Sequence, residues 1–262
     1  SGTLGFDTAG SWSHSSGARG AGAVSLDSYQ YGDARYGYGV CTFTFDSLTL
    51  GSGVSVVIRG RNSLQLKVTG NVSIDTEISL NGSSGSQGTY SGRAGPGGWD
   101  SGRGMLNTDA NSNEHPAMNG QGPGGGKGFE EMRSNGGGGY GGQGTGGLFG
   151  GTGGSTYGDE VITYLFGGSG GGHGATGTGN SGGGGGAIGI QSDGNLTIGS
   201  NGLVSVDGGT REKQKVVVAF HVCRGGITRQ VMLSSAAVPY CFEQIVVRVS
   251  PDRFSSFCVQ GA

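Results

Sequence analysis

The sequence is poor in charged residues and proline, and it has no long hydrophobic run. Charged residues make up 13% of its 262 residues and prolines number 5, whereas disordered chains are usually rich in both. The longest apolar run extends only from Val216 to Phe220, far short of the roughly 20 residues of a membrane-spanning helix. The net charge of −2 gives no electrostatic reason to expect nucleic acid as a partner. We therefore expect a folded chain without a membrane span.

Cysteine and histidine are also scarce, which bears on metals and on the redox compartment. No CxxC pair occurs and the four histidines are scattered, so we expect neither a zinc site nor any other metal or cofactor. Two disulfides would suit an oxidising compartment, with Cys41 paired to one of the three C-terminal cysteines; four buried free thiols are the alternative. The candidates are Cys41, Cys223, Cys241 and Cys258.

Three N-glycosylation sequons add to the extracellular interpretation. They begin at Asn71, Asn81 and Asn195. Each triplet alone is a weak signal, because such triplets arise by chance, but together with paired cysteines they favour a secreted or surface protein.

Short stretches of alternating apolar and polar residues begin at Val40. They are rich in Val, Ile, Leu and Thr and are separated by Gly or Asn, the pattern of short β-strands. The pattern stops near residue 82 and returns over 187–209, where "IQSDGNLTI" matches "LKVTGNVSI" of residues 66–74 in character. Such an internal repeat indicates stacked coils of a solenoid. The inward residues of the repeat are expected to be Leu66, Val68, Val72, Ile74, Ile190, Leu196 and Ile198.

These motifs carry a resemblance to a known family. The stretches "FDSLTLGSGVSVVIRG", "GPGGGKG", "TYGDEVITYLFGGSGGG" and "LTIGSNGLVSVDGG" resemble, over residues 40–209, a family of glycine-rich, secreted bacterial surface proteins. The resemblance implies a short parallel β-helix with a glycine-rich excursion, and a surface or structural role without a defined chemistry.

Glycine is the most abundant residue, with 64 occurrences. Its concentration between the two repeat copies has two explanations. The segment can be a flexible linker, or glycine chains in polyproline-II-like conformation can lie side by side, bonded through their main chains. We favour packing, because aromatic residues recur along the segment as possible anchors. They are Trp99, Phe129, Tyr140, Phe149, Tyr157 and Phe166.

The C-terminal segment differs from the repeat. Residues 211–262 hold seven Lys/Arg against three Asp/Glu, a local balance of +4 that leaves −6 for the rest. Its strand-like stretches could form a small antiparallel sheet, cap the helix, or pair with a neighbouring subunit. Candidate subunit contacts are Val216, Val218, Phe220, Ile245, Val247 and Val249 here, and the cluster Tyr29, Tyr31, Tyr36 and Tyr38, which could instead bind glycans.

The sequence thus predicts an all-β chain built on a short parallel β-helix, or solenoid, with a long glycine-rich insertion and a C-terminal group of β-strands. The predicted regions are a Gly/Ser/Tyr-rich N-terminal segment (1–39), β-helix coils (40–82), the insertion (83–186), a returning coil (187–209) and the C-terminal strand segment (210–262).

The expected function follows from the ends of such a helix. A β-helix of few coils has unpaired backbone groups at both ends, and identical subunits stacked head to tail would cover them. We expect an extracellular structural protein that assembles with itself into a filament or surface layer, with glycans as a further partner.

A carbohydrate-binding adhesin is the alternative function. A polysaccharide-cleaving enzyme ranks below both, because a solvated outer face explains the available carboxylates as well as a catalytic cluster does. Those acidic candidates and their neighbouring histidine are Asp75, Glu77, Asp100, Asp109, Glu114, His115, Asp159 and Glu160. We therefore expect no catalytic residues.

Overall fold

The described part of the chain is all-β, in agreement with the predicted class. A computed structural model describes residues 1–25, 39–85, 92–102, 119–128, 136–146, 151–158, 165–173 and 181–209, together with the backbone of two strands at 218–224 and 227–232. Within these residues it contains fifteen strands and no helix. The strands form four separate sheets.

The strands are short, three to seven residues each. Their bounds are β1 Gly2–Asp7, β2 Ser11–His14, β3 Arg19–Ala21, β4 Ala23–Ser25, β5 Val40–Phe45, β6 Leu48–Leu50, β7 Val54–Arg59, β8 Ser63–Val68, β9 Val72–Ile74, β10 Glu77–Ser79, β11 Ile188–Ser192, β12 Leu196–Ile198, β13 Leu203–Ser205, β14 Val218–Arg224 and β15 Ile227–Met232.

The chain makes three successive passes that we call layers: β5–β6–β7, β8–β9–β10 and β11–β12–β13. Strands in equivalent places pair in parallel from layer to layer. β5, β8 and β11 lie side by side, as do β6, β9 and β12, and β10 pairs with β13. β14 then adds to β11 in parallel, and β15 returns antiparallel on β14.

The N-terminal residues belong to the same body as the layers. β1 pairs in parallel with β7 of the first layer, while β4 pairs antiparallel with β5. Leu4 and Phe6 of β1 are buried with the core of the layers. The sequence signal for this placement is weak, because β1 contains two glycines and only two core residues.

The core lies between the sheets and holds most of the predicted inward residues. Leu66, Val68, Val72, Ile74 and Ile190 are buried. The prediction is wrong for Ile198, which is 42% exposed, and Leu196 is only partly buried. β12 is the last strand of its sheet among the described residues. Its inward side chains therefore pack against β9 of the second layer, and no further described layer covers their other side.

The glycine-rich segments are ordered and packed in the described residues. They are neither helix nor strand, yet they bond to one another laterally through the main chain. Gly184 N–H donates to the carbonyl of Trp99 at 2.9 Å, and the carbonyl of Gly184 accepts from Gly95 N–H at 3.0 Å. In a second group of glycine segments, Gly154 N–H donates to the carbonyl of Gly137 at 2.8 Å. These bonds satisfy the backbone where no regular sheet forms.

Aromatic rings pin the glycine segments together, as the sequence suggested. The ring centroids of Tyr140 and Tyr157 lie 5.0 Å apart, and those of Trp99 and Phe166 lie 5.8 Å apart. The hydroxyl of Tyr157 donates to the carbonyl of Gly167 at 2.8 Å. Phe129 and Phe149 lie outside the described residues.

We predict that two equivalent isoleucines contribute very differently to stability. Ile74 is fully buried and Ile198 is 42% exposed, although they pair directly across β9 and β12. Ile74→Ala should lower the free energy of unfolding by about 2–5 kcal/mol. Ile198→Ala, as its matched control, should cost less than about 1 kcal/mol. Urea unfolding measures both, and equal losses would contradict the described burial.

A second prediction concerns two adjacent glycines. A Cβ at Gly170 would collide with the main-chain carbonyl of Asp100, whereas a Cβ at Gly171 would have its nearest neighbour, the Gly136 oxygen, at 3.6 Å. Gly170→Ala should destabilise the protein by about 1–3 kcal/mol or more. Gly171→Ala should be neutral or slightly stabilising. Hydrogen exchange over 165–173 should quicken in the first variant alone; unchanged exchange in both would argue against close packing.

Candidate functional site

The third layer leaves two strand edges unpaired within the described part of the chain. β12 and β13 each have a partner on one side only, and their apolar side chains Ile198 and Leu203 are 42% and 50% exposed. At the opposite end, β1 and β4 occupy the outer edges of β7 and β5, and β6 is the one first-layer strand whose outer edge has no partner among the described strands. The two ends of the stack are therefore unlike each other.

The β14–β15 hairpin makes this end uneven. β14 occupies the edge of β11, and β15 continues the same sheet by one more strand. Neighbouring strands lie about 4.8 Å apart, so the hairpin projects about 10 Å beyond the level of the third layer. We call the space beside it, floored by the outer edges of β12 and β13, the terminal recess.

The pairing of β14 limits how two of the predicted subunit contacts, Val218 and Phe220, could act. Val218 and Phe220 lie in a strand whose two edges are both occupied, by β11 and by β15 of the same chain. The main chain of β14 is therefore not available to add to a neighbouring subunit's sheet. The other contact candidates, Tyr29, Tyr31, Tyr36, Tyr38, Val216, Ile245, Val247 and Val249, lie outside the described residues.

The three sequon asparagines are all exposed, and two of them also hold the layers together. Asn71 Oδ1 accepts a hydrogen bond from Asn195 N–H at 2.9 Å. Asn81 Oδ1 accepts one from Asp207 N–H at 2.6 Å. Asn195 is the equivalent of Asn71 in the third layer, and its side chain has no hydrogen-bond partner among the described residues. The side-chain oxygen that links layers at Asn71 and Asn81 therefore has no described partner at Asn195.

Disulfide pairing of the cysteines stays a prediction. Cys41 is fully buried and has no disulfide partner among the described residues. The alternation of β5 turns Cys41 inward together with Phe43, into an apolar cluster. Burial, with a smaller contribution from the charge of Asp7, raises the pKa of the Cys41 thiol. The Cys223 side chain, Cys241 and Cys258 lie outside the described residues.

Two of the carboxylates considered for an enzyme have structural partners. Asp75 Oδ1 accepts from Asn201 N–H at 3.0 Å, and Asp100 Oδ1 accepts from Ala94 N–H at 2.8 Å. Glu77 is an exposed residue of β10. The other four carboxylates and His115 lie outside the described residues. Within the described ranges, no three His, Cys, Asp or Glu side chains are grouped as metal ligands would be.

The part of the chain that the structure describes contains no helix of the length and hydrophobicity that crossing a bilayer requires.

Comparison with known proteins finds no significant match. No protein-family model matches the chain, and no curated protein or solved structure matches it significantly.

Sequence reasoning missed the terminal recess because the repeat pattern marks Leu196 and Ile198 as core residues. The signal that could have found it is the break after residue 209, where no further short strand of the repeat follows. The last copy of a repeat has no successor to cover it.

We predict a difference between the two equivalent asparagines in protein made without glycosylation. Asn71→Ala removes the acceptor for Asn195 N–H and should cost about 0.5–1.5 kcal/mol of unfolding free energy. Asn195→Ala removes a side chain without a described partner and should change stability by less than about 0.5 kcal/mol. Thermal and urea unfolding compare them; a larger loss at Asn195 would show that its side chain is engaged.

Proposed function

We propose that this chain is an extracellular structural protein whose layers form a short parallel β-helix, and that it assembles with further copies through β-strand contacts into a filament or surface layer. The observation that carries the proposal is the terminal recess. Two unpaired strand edges with exposed apolar side chains are a template for strand addition unless a native partner covers them.

The mode of contact is constrained by β14. A second copy stacked in the same orientation, with its β6 on the outer edge of β12, would bring its β5 to the level that β14 occupies. Complete layers therefore cannot continue directly from copy to copy. The recess instead suits a single extended segment, which would bind through main-chain hydrogen bonds and alternate side chains.

Charge favours an end-to-end approach of unlike regions. The balance of +4 over residues 211–262 opposes −6 over the remainder, so unlike regions of two copies attract one another. Ile245, Val247 and Val249 remain the sequence-based candidates for the inserted strand.

The extracellular setting is supported by the exposure of Asn71, Asn81 and Asn195, because a glycan needs an accessible asparagine. Cys41, which has no disulfide partner among the described residues, does not add to that support. A carbohydrate-binding adhesin is the second candidate function, favoured by a hydroxyl-lined trough on the N-terminal sheet that is described below.

We predict that charges in the terminal recess abolish assembly. In the double variant Ile198→Lys with Leu203→Lys, an added strand would bury two unpaired ammonium groups, which is unfavourable. Sedimentation velocity over a concentration series and electron microscopy should show oligomers or fibres for the natural chain and monomers for the variant.

The matched control is Val24→Lys, which changes an equally exposed valine on β4 at the other end of the stack. It should assemble like the natural chain. The proposal is wrong if the natural chain stays monomeric at high concentration, or if the double variant still assembles normally.

A further inference from the structure

The N-terminal sheet has a solvent-facing side made of small polar residues. Strand alternation places Leu4 and Phe6 of β1 in the core and turns Thr3, Gly5 and Asp7 outward. Paired positions on the neighbouring strands share this outer side. Asp7 lies between Ser11 of β2 and Arg59 of β7, and Gly5 lies between Ser13 of β2 and Val57 of β7.

Gly5 is unusual among the glycines of the described strands. At Gly2, Gly20 and Gly189, a neighbouring side chain occupies the space that a Cβ would need; at Gly20 this is the indole of Trp12. At Gly5 the nearest atom to a Cβ would be Ser13 Oγ, at an ordinary 3.6 Å.

The backbone at Gly5 gives no other reason for a glycine. Its φ is not positive, and the pairing of β1 with β2 and with β7 runs through it without a bulge. Glycine inside a strand weakens the strand, and it often marks a place where a ligand approaches closely. Nothing in the described fold requires glycine here, and the open space above it leaves room for a ligand to approach the strand closely.

The missing side chain leaves a trough along β1. The trough has a volume of about 450 Å³, within the usual range of small-molecule sites. Gly5 forms the floor, with hydroxyls of Thr3, Ser11, Ser13 and Ser15, the Asp7 carboxylate, the Arg59 guanidinium and the apolar Val57 around it.

Much of this hydrogen-bonding capacity is unused. Asp7 Oδ1 accepts from Ala9 N–H at 2.9 Å, which leaves its second oxygen available. The side chains of Arg59, Ser11 and Ser13 have no hydrogen-bond or ion-pair partner among the described residues. A carboxylate oxygen, a guanidinium and two hydroxyls therefore offer both acceptors and donors at one place.

The charge of the trough narrows the class of ligand. Asp7 and Arg59 sit side by side with opposite charges, so the trough favours neither anions nor cations strongly. Acceptors, donors and one apolar wall together match a neutral molecule with several hydroxyls and a C–H face. We propose that the trough over Gly5 binds one sugar unit of a neutral saccharide, with Asp7 accepting from its hydroxyls and Arg59 donating to them.

This site does not depend on the proposed assembly. The trough lies on the sheet formed by β1, β2, β3 and β7, whereas the terminal recess is formed by the outer edges of β12 and β13 in other sheets. Loss of one activity would leave the other intact, and a chain with both would be an assembling protein that also holds a glycan.

The test fills the trough without disturbing the fold. The probes are immobilised neutral oligosaccharides of glucose, galactose, mannose and N-acetylglucosamine, with sialylated and sulfated glycans for comparison. Titration calorimetry then measures the affinity for any neutral glycan that is bound.

Gly5→Val should keep or raise the melting temperature, because valine suits a strand, and should weaken binding at least tenfold. Ser55→Val, on the same outer side of β7 but outside the trough, is the matched control and should bind normally.

Two further variants keep the test decisive if Gly5→Val folds poorly. Asp7→Asn preserves side-chain size, Arg59→Gln keeps a polar side chain while removing the guanidinium, and each should weaken binding several-fold. The proposal is overturned if the natural chain binds none of the neutral glycans, if it prefers the charged glycans, or if Gly5→Val folds and binds like the natural chain. It is also overturned if Gly5→Val misfolds and both substitutions of the charged residues bind normally.

Discussion

Lateral hydrogen bonding between extended stretches of main chain is the constraint on which this structure depends. The described residues contain no helix, so a backbone donor or acceptor has to find its partner on another stretch of chain, in water or on a side chain. Parallel strands provide such partners in the layers, and the glycine segments provide them without regular strands. Glycine is needed in the second case because the segments approach so closely that a Cβ at Gly184 would collide with the carbonyl of Gly168.

The two packed regions are joined by the same kind of bond. Gly186 N–H donates to the carbonyl of Leu80 at 2.9 Å, and Ala187 N–H donates to the carbonyl of Pro96 at 2.8 Å. The segment that returns the chain to the third layer is thus itself a member of the glycine packing. The main-chain hydrogen bonds of the layers therefore continue into the insertion. Where the layers have an aliphatic core, the insertion has a small aromatic cluster around Trp99.

The parts of the fold that rest on local alternation could be predicted from the sequence. The strands around Leu66 and Ile74 and the anchoring rings of Trp99 and Tyr157 follow from residue type and spacing. Exposure at Ile198 could not be predicted, because it depends on what lies beyond β12 and not on the residues of β12. The trough could not be predicted either, because Gly5 becomes informative only when the space around its missing Cβ is known. Pairing of Cys41 stays a prediction, because its candidate partners Cys241 and Cys258 and the Cys223 side chain lie outside the described residues.

The insertion between the second and third layers has a consequence for the order in which the molecule folds. The bond from Asn195 to Asn71 joins residues 124 apart in sequence, and closing a flexible loop of that length costs about 4 kcal/mol of chain entropy beyond a constant. Contacts so distant in sequence slow folding. Packing of the glycine segments would shorten the effective loop that the third layer has to close. Folding of this chain is therefore expected to proceed from the first two layers through the glycine packing, with the third layer and its exposed edge completed last.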